Sequence, residues 1–554
     1  MSLESDQPDT AAYDYPLIIR HLLHTPLATR PDQPIVYADI HRYDYRRLNE
    51  RVHRLANALE ELGIRKGDTV AVMDWDSHRY LECFFAVPMM GAVLHTINVR
   101  LSPDQILYTV NHAEDALILA HADFLPVLAQ IRSRFEREAP VVLLRDDATT
   151  PDPAFEIVAE YEAMLDAVNP GHTFEDFDEG TRATTFYTTG TTGDPKGVYY
   201  SHRQLVLHTL GAMAGLASGG AQGRFHRDDV YMPITPMFHV HAWGIPYVAT
   251  VMGVKQVYPG RYDAETLLRL IRDEGVTFSH CVPTILHMLL NHTAARQVDF
   301  SRWKVVIGGS ALPIGLARQA LDLGIDIMGG YGLSETCPML VVAQLEADTL
   351  RQPEEKQTYH RCKAGRPIPL VELRVVDEQM KDLPHDGQTT GEVVTRAPWL
   401  TPGYLKDDTA SAALWRGAYL HTGDIGHIDP HGYLKVTDRL KDVIKSGGEW
   451  ISSILLEDLV SQHPGVSETA AIGVPDEKWG ERPMMLVVRQ DGAEADVDAE
   501  AIAAHLRGFV DRGIINTWAM PERIEFVDAI DKTSVGKIDK KRLRQRYGQK
   551  TNQA

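Results

Sequence analysis

The chain has 554 residues, too many for one hydrophobic core, so several folded units are expected. Hydrophobic residues make up 44% and charged residues 24%, the balance of an ordinary soluble globular protein. A formal charge of −20 argues against nucleic acid as a partner, yet leaves room for a local basic cleft that holds an anion.

In chain order, the acidic N-terminal stretch 1–16 lacks a positive segment followed by an apolar one, so no secretory signal is expected. Cys83, Cys281, Cys337 and Cys362 lie far apart with no CxxC pair. That argues against a disulfide framework or a zinc site and for reduced thiols in the cytoplasm. The most apolar stretch, 84–99, is broken by Pro88, Gly91, His95 and Asn98, so no transmembrane segment is expected. Residues 69–73 and 116–120 read as strands, the second followed by a helical pattern over 124–135.

A further strand at 183–187 leads into the run TTGTTGDPKG, residues 188–197. Here Thr188, Thr189, Thr191 and Thr192 supply hydroxyl donors, Gly190 and Gly193 let backbone N–H groups approach an anion, and Lys196 adds a charge. The composition suits a polyphosphate. It is not the loop of the common nucleotide hydrolases, because no Gly-Lys-Ser/Thr triplet opens a helix. Residues 236–244, PMFHVHAWG, are mostly apolar but carry His239, His241 and Trp243. A buried histidine or tryptophan in such a run is more often core than site.

Residues 305–307 read as a strand running into Gly308-Gly309, and the apolar run 325–328 precedes Gly329-Gly330 and then YGLSET. Ligand loops of α/β sheets belong at strand ends. Tyr331 beside glycines can stack on a purine, and Glu335 can hold a hard divalent cation against phosphate. A capped helix start would use Ser334 and Glu335 equally well. From about Val371 the texture becomes β-rich, with strands at 371–376 and 391–395 between Pro/Gly turns. Asp424, in the turn Thr422-Gly423-Asp424, can accept hydrogen bonds from two neighbouring hydroxyls or serve as simple turn chemistry. Beyond DRLKD, residues 438–442, the pattern is helix 452–463, strands 469–472 and 484–488, helix 499–510 and strand 523–527. That makes a compact α+β unit. Most lysines of the tail 532–540 read as a solvated face.

Taken together, TTGTTGDPKG, YGLSET, the T-G-D turn, DRLKDVIKSGGEWI and T-x-x-G-K ending at Lys537 resemble, in order, the motifs of the adenylate-forming superfamily. That superfamily holds acyl-CoA synthetases, luciferases and peptide-synthetase adenylation domains, and this chain looks most like its medium- and long-chain fatty acyl-CoA synthetases. The resemblance implies an α/β fold: a large N-terminal domain of layered sheets with a β-rich subdomain (1–438), a hinge (439–444) and a small mobile α+β C-terminal domain (445–554).

It implies ATP, Mg²⁺ and CoA as reactants and cofactor. Thr188 and Glu335 would hold the metal and take part in catalysis with Lys537, the lysine that bridges substrate carboxylate and α-phosphate. The nucleotide would touch the Thr188–Gly193 loop, Lys196, Gly309, Ser310, Gly330, Tyr331, Gly332, Ser334 and Thr336. Asp424 and Arg439 would take the ribose, Lys445 would lie near the phosphates, and Trp450 would also touch the nucleotide. Phe238, His239, Val240, Trp243, Gly244, Gly309 and Gly329 would form the acyl pocket, where Trp243 closes the tunnel until ATP binds; as a gate, Trp243 would be only partly packed. Gly447 and Gly448 would admit the CoA arm, and Lys441 would be the hinge. No Asp stands in PMFHVHAWG to hold an α-amino group, which argues against amino-acid activation. Transfer to an amine or a carrier-protein thiol, an aryl or short-chain acid, a luciferase-type oxygenase and an inactive acyl-nucleotide binder remain as alternatives. Family members often form homodimers through the N-terminal domain, and no motif here decides that.

Overall fold

The strand Thr69–Met73 is buried at every position, as a strand covered on both faces must be. In the computed structural model, which describes residues 13–147, 154–188, 194–220, 222–446, 449–490, 497–533 and 537–548, it sits mid-way in a seven-stranded sheet. That sheet is parallel except at its last pair, where Arg182–Thr188 meets Lys196–Ser201 antiparallel. A nine-stranded sheet lies beside it, and its strands Val230–Ile234, Phe278–Cys281, Lys304–Ile307 and Asp326–Gly332 are parallel neighbours. The helix His78–Met89 is buried along its whole length because it packs against strands of both sheets.

This layering matches the α/β architecture expected, and a five-stranded antiparallel sheet built on Gly391–Arg396 and Tyr419–Ile428 supplies the β-rich part. The C-terminal unit has its own core, with Leu456, Val460, Met485, Ile502 and Leu506 between the strands Val466–Asp476 and Gly480–Arg489 and their helices. Two sequence expectations need adjusting. The helical pattern over 124–135 is three pieces, a helix Leu125–Ile131 between 3-10 turns at Ala122–Phe124 and Arg132–Arg134. The C-terminal strands are longer than their apolar centres, because the hairpin pairs out to Asp476 and Gly480.

Four adjacent parallel strands release their chain at the same edge. Ile234, Cys281, Ile307 and Gly332 end there, and their following loops share one crevice. Among the described residues no helix is long and apolar enough to cross a membrane.

Candidate active site

Two cavities open at that edge and share His239, Trp243, Gly309 and Lys537. The larger, about 470 Å³, runs between Val306, Gly330, Tyr331, Ser334, Met339 and Val341. The other, about 400 Å³, runs toward Arg100, Thr235, Tyr262 and Ile285. Lys537 comes from the C-terminal unit, where Thr533 N–H donates to Lys537 O at 2.7 Å. Its Cε reaches within 3.3 Å of where a Cβ on Gly309 would stand. Burial pushes its ammonium down to about 8, with Arg439 adding repulsion and Asp424 and Glu335 opposing it.

Tyr331 and Ser334 of the larger cavity are backed by Asp424, Arg439, Glu335, Tyr404 and Lys196, none of which lines either cavity. Tyr331 donates its hydroxyl to Asp424 Oδ2 at 2.7 Å, and Arg439 Nε lies 3.2 Å from Asp424 Oδ1. Asp424 and Arg439 face each other because the strands Tyr419–Ile428 and Leu434–Arg439 pair antiparallel in that register. Glu335 stands in the 3-10 turn Ser334–Thr336, and Tyr404 donates to its Oε1 at 2.8 Å. The Lys196 ammonium lies 4.6 Å from the centre of the Tyr404 ring. Tyr200 donates to Ser334 O at 2.5 Å and so fixes the turn that carries Glu335.

No group of three or more acidic, histidine or cysteine side chains suited to a metal occurs among the described residues. A magnesium ion held mainly by phosphate and water needs only one or two carboxylates, so Glu335 fits that use.

The apolar side is built by backbone conformation. Val240, His241, Ala242 and Trp243 have φ of 49°, 53°, 48° and 59°, and Gly244 follows at 71°. Four consecutive non-glycine residues in the left-handed region cost about 1–2 kcal/mol each and therefore need support from their surroundings. Gly244 N–H closes the turn onto Val240 O at 3.1 Å. A side chain at Gly244 would stand 2.8 Å from His208 Cε1, so its glycine is required twice over.

The turn lays the Trp243 indole over Gly308, where a Cβ would stand 2.9 Å from Cη2, and beside the His280 ring at 4.9 Å. Trp243 is 7% exposed, so it is packed rather than only partly packed. Burial lowers His239, His241 and His280 to about 3, with the Lys537 cation also acting on His239, so this wall carries neutral imidazoles.

Among the residues anticipated from sequence, Lys537, His239, Val240, Trp243, Gly309, Gly330, Tyr331, Gly332 and Ser334 line the two cavities. Thr188 ends its strand opposite Lys196. Phe238, Gly244 and Gly329 line neither cavity. Phe238 gives its carbonyl to Thr96, Gly244 caps the turn, and a Cβ on Gly329 would meet Lys363 O at 2.2 Å. Thr336 is buried, and its hydroxyl accepts Leu333 N–H at 2.8 Å, so it braces the turn. Ser310, Lys441 and Lys445 are exposed, the last on the strand Ile444–Ser446. Thr189, Gly190, Thr191, Thr192, Gly193, Gly447, Gly448 and the side chain of Trp450 lie outside the described residues.

Sequence reasoning missed Tyr404, whose setting Pro402-Gly403-Tyr404 reads as a plain turn, and Arg100 and Tyr262, which stand in no motif.

A family model described as AMP-binding enzyme matches residues 23–405, and one described as AMP-binding enzyme C-terminal domain matches residues 455–537. The long-chain-fatty-acid–CoA ligase of Thermus thermophilus is 41% identical over 516 residues, 92% of this chain and 91% of that protein. The 3-methylmercaptopropionyl-CoA ligase of Ruegeria lacuscaerulensis is 37% identical over 514 residues, 91% of this chain and 92% of that protein. In shape, the chain matches the anthranilate CoA ligase AuaEII in complex with anthranoyl-AMP, with a TM-score of 0.84 over 96% of this chain and 98% of that one. At 23% identity this last likeness speaks for the fold alone.

Proposed function

Because the chain belongs to the AMP-binding enzyme family of adenylate-forming acyl-CoA ligases, we propose that it activates a medium- to long-chain fatty acid and transfers it to CoA. The observation that carries this reading is the meeting of the two cavities at Lys537, on the side where Tyr331, Asp424 and Arg439 are joined.

In the first step a carboxylate oxygen attacks the α-phosphorus of ATP. The bond to the bridging oxygen breaks, pyrophosphate leaves, and acyl-AMP remains. Lys537 holds the acid and α-phosphate together and neutralises the charge that builds on the phosphoryl oxygens. Asp424 accepts hydrogen bonds from the ribose hydroxyls, oriented by Tyr331 and Arg439. Glu335, steadied by Tyr404, would hold the magnesium that offsets phosphate charge. In the second step the CoA thiolate attacks the acyl carbonyl, the C–O bond of the anhydride breaks, and AMP leaves. Neither step needs a side-chain nucleophile; positioning and charge do the catalysis.

The apolar lining Val306, Met339 and Val341 supports an alkyl chain, each buried CH₂ contributing about 0.8 kcal/mol. The second cavity reaches Lys537 from the other side, which supports a separate approach for the thiol. In this reading residues 1–438 and 445–554 are the two domains, and Lys441 absorbs their rotation between steps.

Pyrophosphate release over a ladder of acids, with and without CoA, tests the proposal. Octanoate and longer acids should exceed acetate, benzoate and 3-methylmercaptopropionate, and CoA should accelerate turnover. A profile led by acetate or benzoate would overturn the fatty-acid assignment.

A further inference from the structure

We propose that His241 is a positioning residue that sets which acyl chains the cavity accepts: bonded to Thr184, it holds the Val240–Gly244 turn in the conformation that lays Trp243 across Gly308. The substrate arm of this inference rests on the fatty-acid reading above; its structural arm does not.

His241 touches neither cavity. It is 1% exposed, with its ring edge-on to Phe84 at 5.1 Å and to Phe186 at 5.5 Å. Its Nε2 lies 2.8 Å from Thr184 Oγ1. The Thr184 hydroxyl has one proton and donates it to Leu94 O at 2.9 Å, so the bond from His241 must be Nε2–H donating to Oγ1. A neutral imidazole has a single N–H, and here it is committed to that contact.

The partner's position gives the bond its consequence. Thr184 lies in the strand Arg182–Thr188 of the seven-stranded sheet, and His241 follows the strand Val230–Ile234 of the nine-stranded one. The contact therefore ties the two sheets together at the middle of the left-handed turn. At the turn's other end His208 packs under Gly244 and accepts Met339 N–H at Nε2, 3.2 Å away. Met339 itself lines the larger cavity.

A run of positive φ that non-glycine side chains disfavour persists only where its surroundings over-determine it. Here they include the hydrogen bond and the Phe84 and Phe186 rings at the centre, and the packed glycine at the end. Releasing the centre frees the backbone to leave the left-handed region, and the Trp243 indole moves with it.

The test replaces tryptophan with 5-fluorotryptophan and follows the Trp243 resonance by fluorine NMR, assigned by its loss in Trp243→Phe. Thr184→Val removes the acceptor at nearly constant volume, Thr184→Ser keeps it, and Ala242→Gly favours the left-handed turn without touching the bond. The Trp243 resonance should move in Thr184→Val and stay in place in Thr184→Ser and in Ala242→Gly.

In pyrophosphate release, Thr184→Val should shift the ratio of kcat/KM for octanoate over hexadecanoate by about tenfold, with KM for ATP changed less than about twofold. Thr184→Ser should restore the wild-type ratio. Should Thr184→Val fail to fold, Thr184→Ala, which also removes the acceptor, carries the same two readouts. A resonance unmoved in the folded variant that lacks the acceptor, or an equal loss with every acid, overturns the inference. A wild type inert toward all fatty acids overturns the proposed function instead, and the resonance still decides whether the clasp holds Trp243.

Discussion

The two sides of the crevice are held together by different means. On the side proposed for the nucleotide, Tyr331, Asp424 and Arg439 are tied by a side-chain hydrogen bond and an ion pair and Tyr404 is bonded to Glu335, so the chemistry resides in residue identity. On the side proposed for the acyl chain the walls are apolar side chains and the neutral His239, and the decisive feature is a left-handed backbone turn. Charge placed by side chains is conserved in kind when one partner is exchanged for a close analogue. Shape placed by backbone is not, because one altered dihedral moves every side chain beyond it. Nucleotide-side substitutions should therefore change rate and ATP affinity, and acyl-side substitutions should change which acid is used.

The largest effect expected is at Lys537, where both sides meet. Lys537→Ala should lower acyl-adenylate formation by about 10²–10³-fold, while thioester formation from supplied acyl-adenylate falls far less. Stopped-flow measurement of the two half-reactions checks this, and an equal fall in both would remove the lysine from adenylation. Next is Asp424→Asn, which keeps the shape but loses the charge facing Arg439 and, as proposed, the ribose. It should raise KM for ATP by roughly ten- to a hundredfold and leave the order of preferred acids unchanged. A reordered acid profile would break the division between the two sides.

Trp243→Ala belongs to the acyl side. It should destabilise the fold by about 3–5 kcal/mol, because the indole is packed against Gly308 and His280, and a denaturant titration reads that directly. Adenylation should survive with the chain-length optimum moved to longer acids.

The smallest effect is in pH. Lys537 titrates at about 8, so kcat/KM for adenylation should decline as pH rises through that value and the ammonium loses its proton. Stability should move the other way. Burial penalises the ammonium, the unfolded chain binds more protons between about 8 and 10.5, and the folded state gains stability as pH rises across that window. The stability slope there should be flatter in Lys537→Ala.

The same division explains what could be read without coordinates. Singly, Glu335 and Asp424 read as well as cap and turn residues; with Tyr331, Arg439 and Lys537 they stood out because their motifs follow one another in the order of the adenylate-forming superfamily. The alternation of strands and helices gave the layered sheets for a similar reason, since strands such as Thr69–Met73 are apolar throughout. Tyr404 was lost inside an ordinary Pro-Gly turn. The left-handed turn at Val240–Trp243 was lost because four residues with unremarkable propensities adopt a conformation none of them favours, held by tertiary packing that includes Thr184 and His208. Phe238, Gly244 and Gly329 stand behind the wall, set there by backbone contacts of the fold that spacing alone does not carry.

The account turns on Lys537 marking the junction of acyl chain and nucleotide, and a crystal structure with a sulfamoyl analogue of octanoyl-AMP measures that junction directly. The ribose hydroxyls should lie within about 3.2 Å of Asp424, the Lys537 Nζ within about 3.2 Å of the acyl carbonyl or sulfamoyl oxygens, and the alkyl chain against Val306, Met339 and Val341. An alkyl chain lodged instead between Arg100 and Tyr262, with Lys537 out of contact with the analogue, would contradict it.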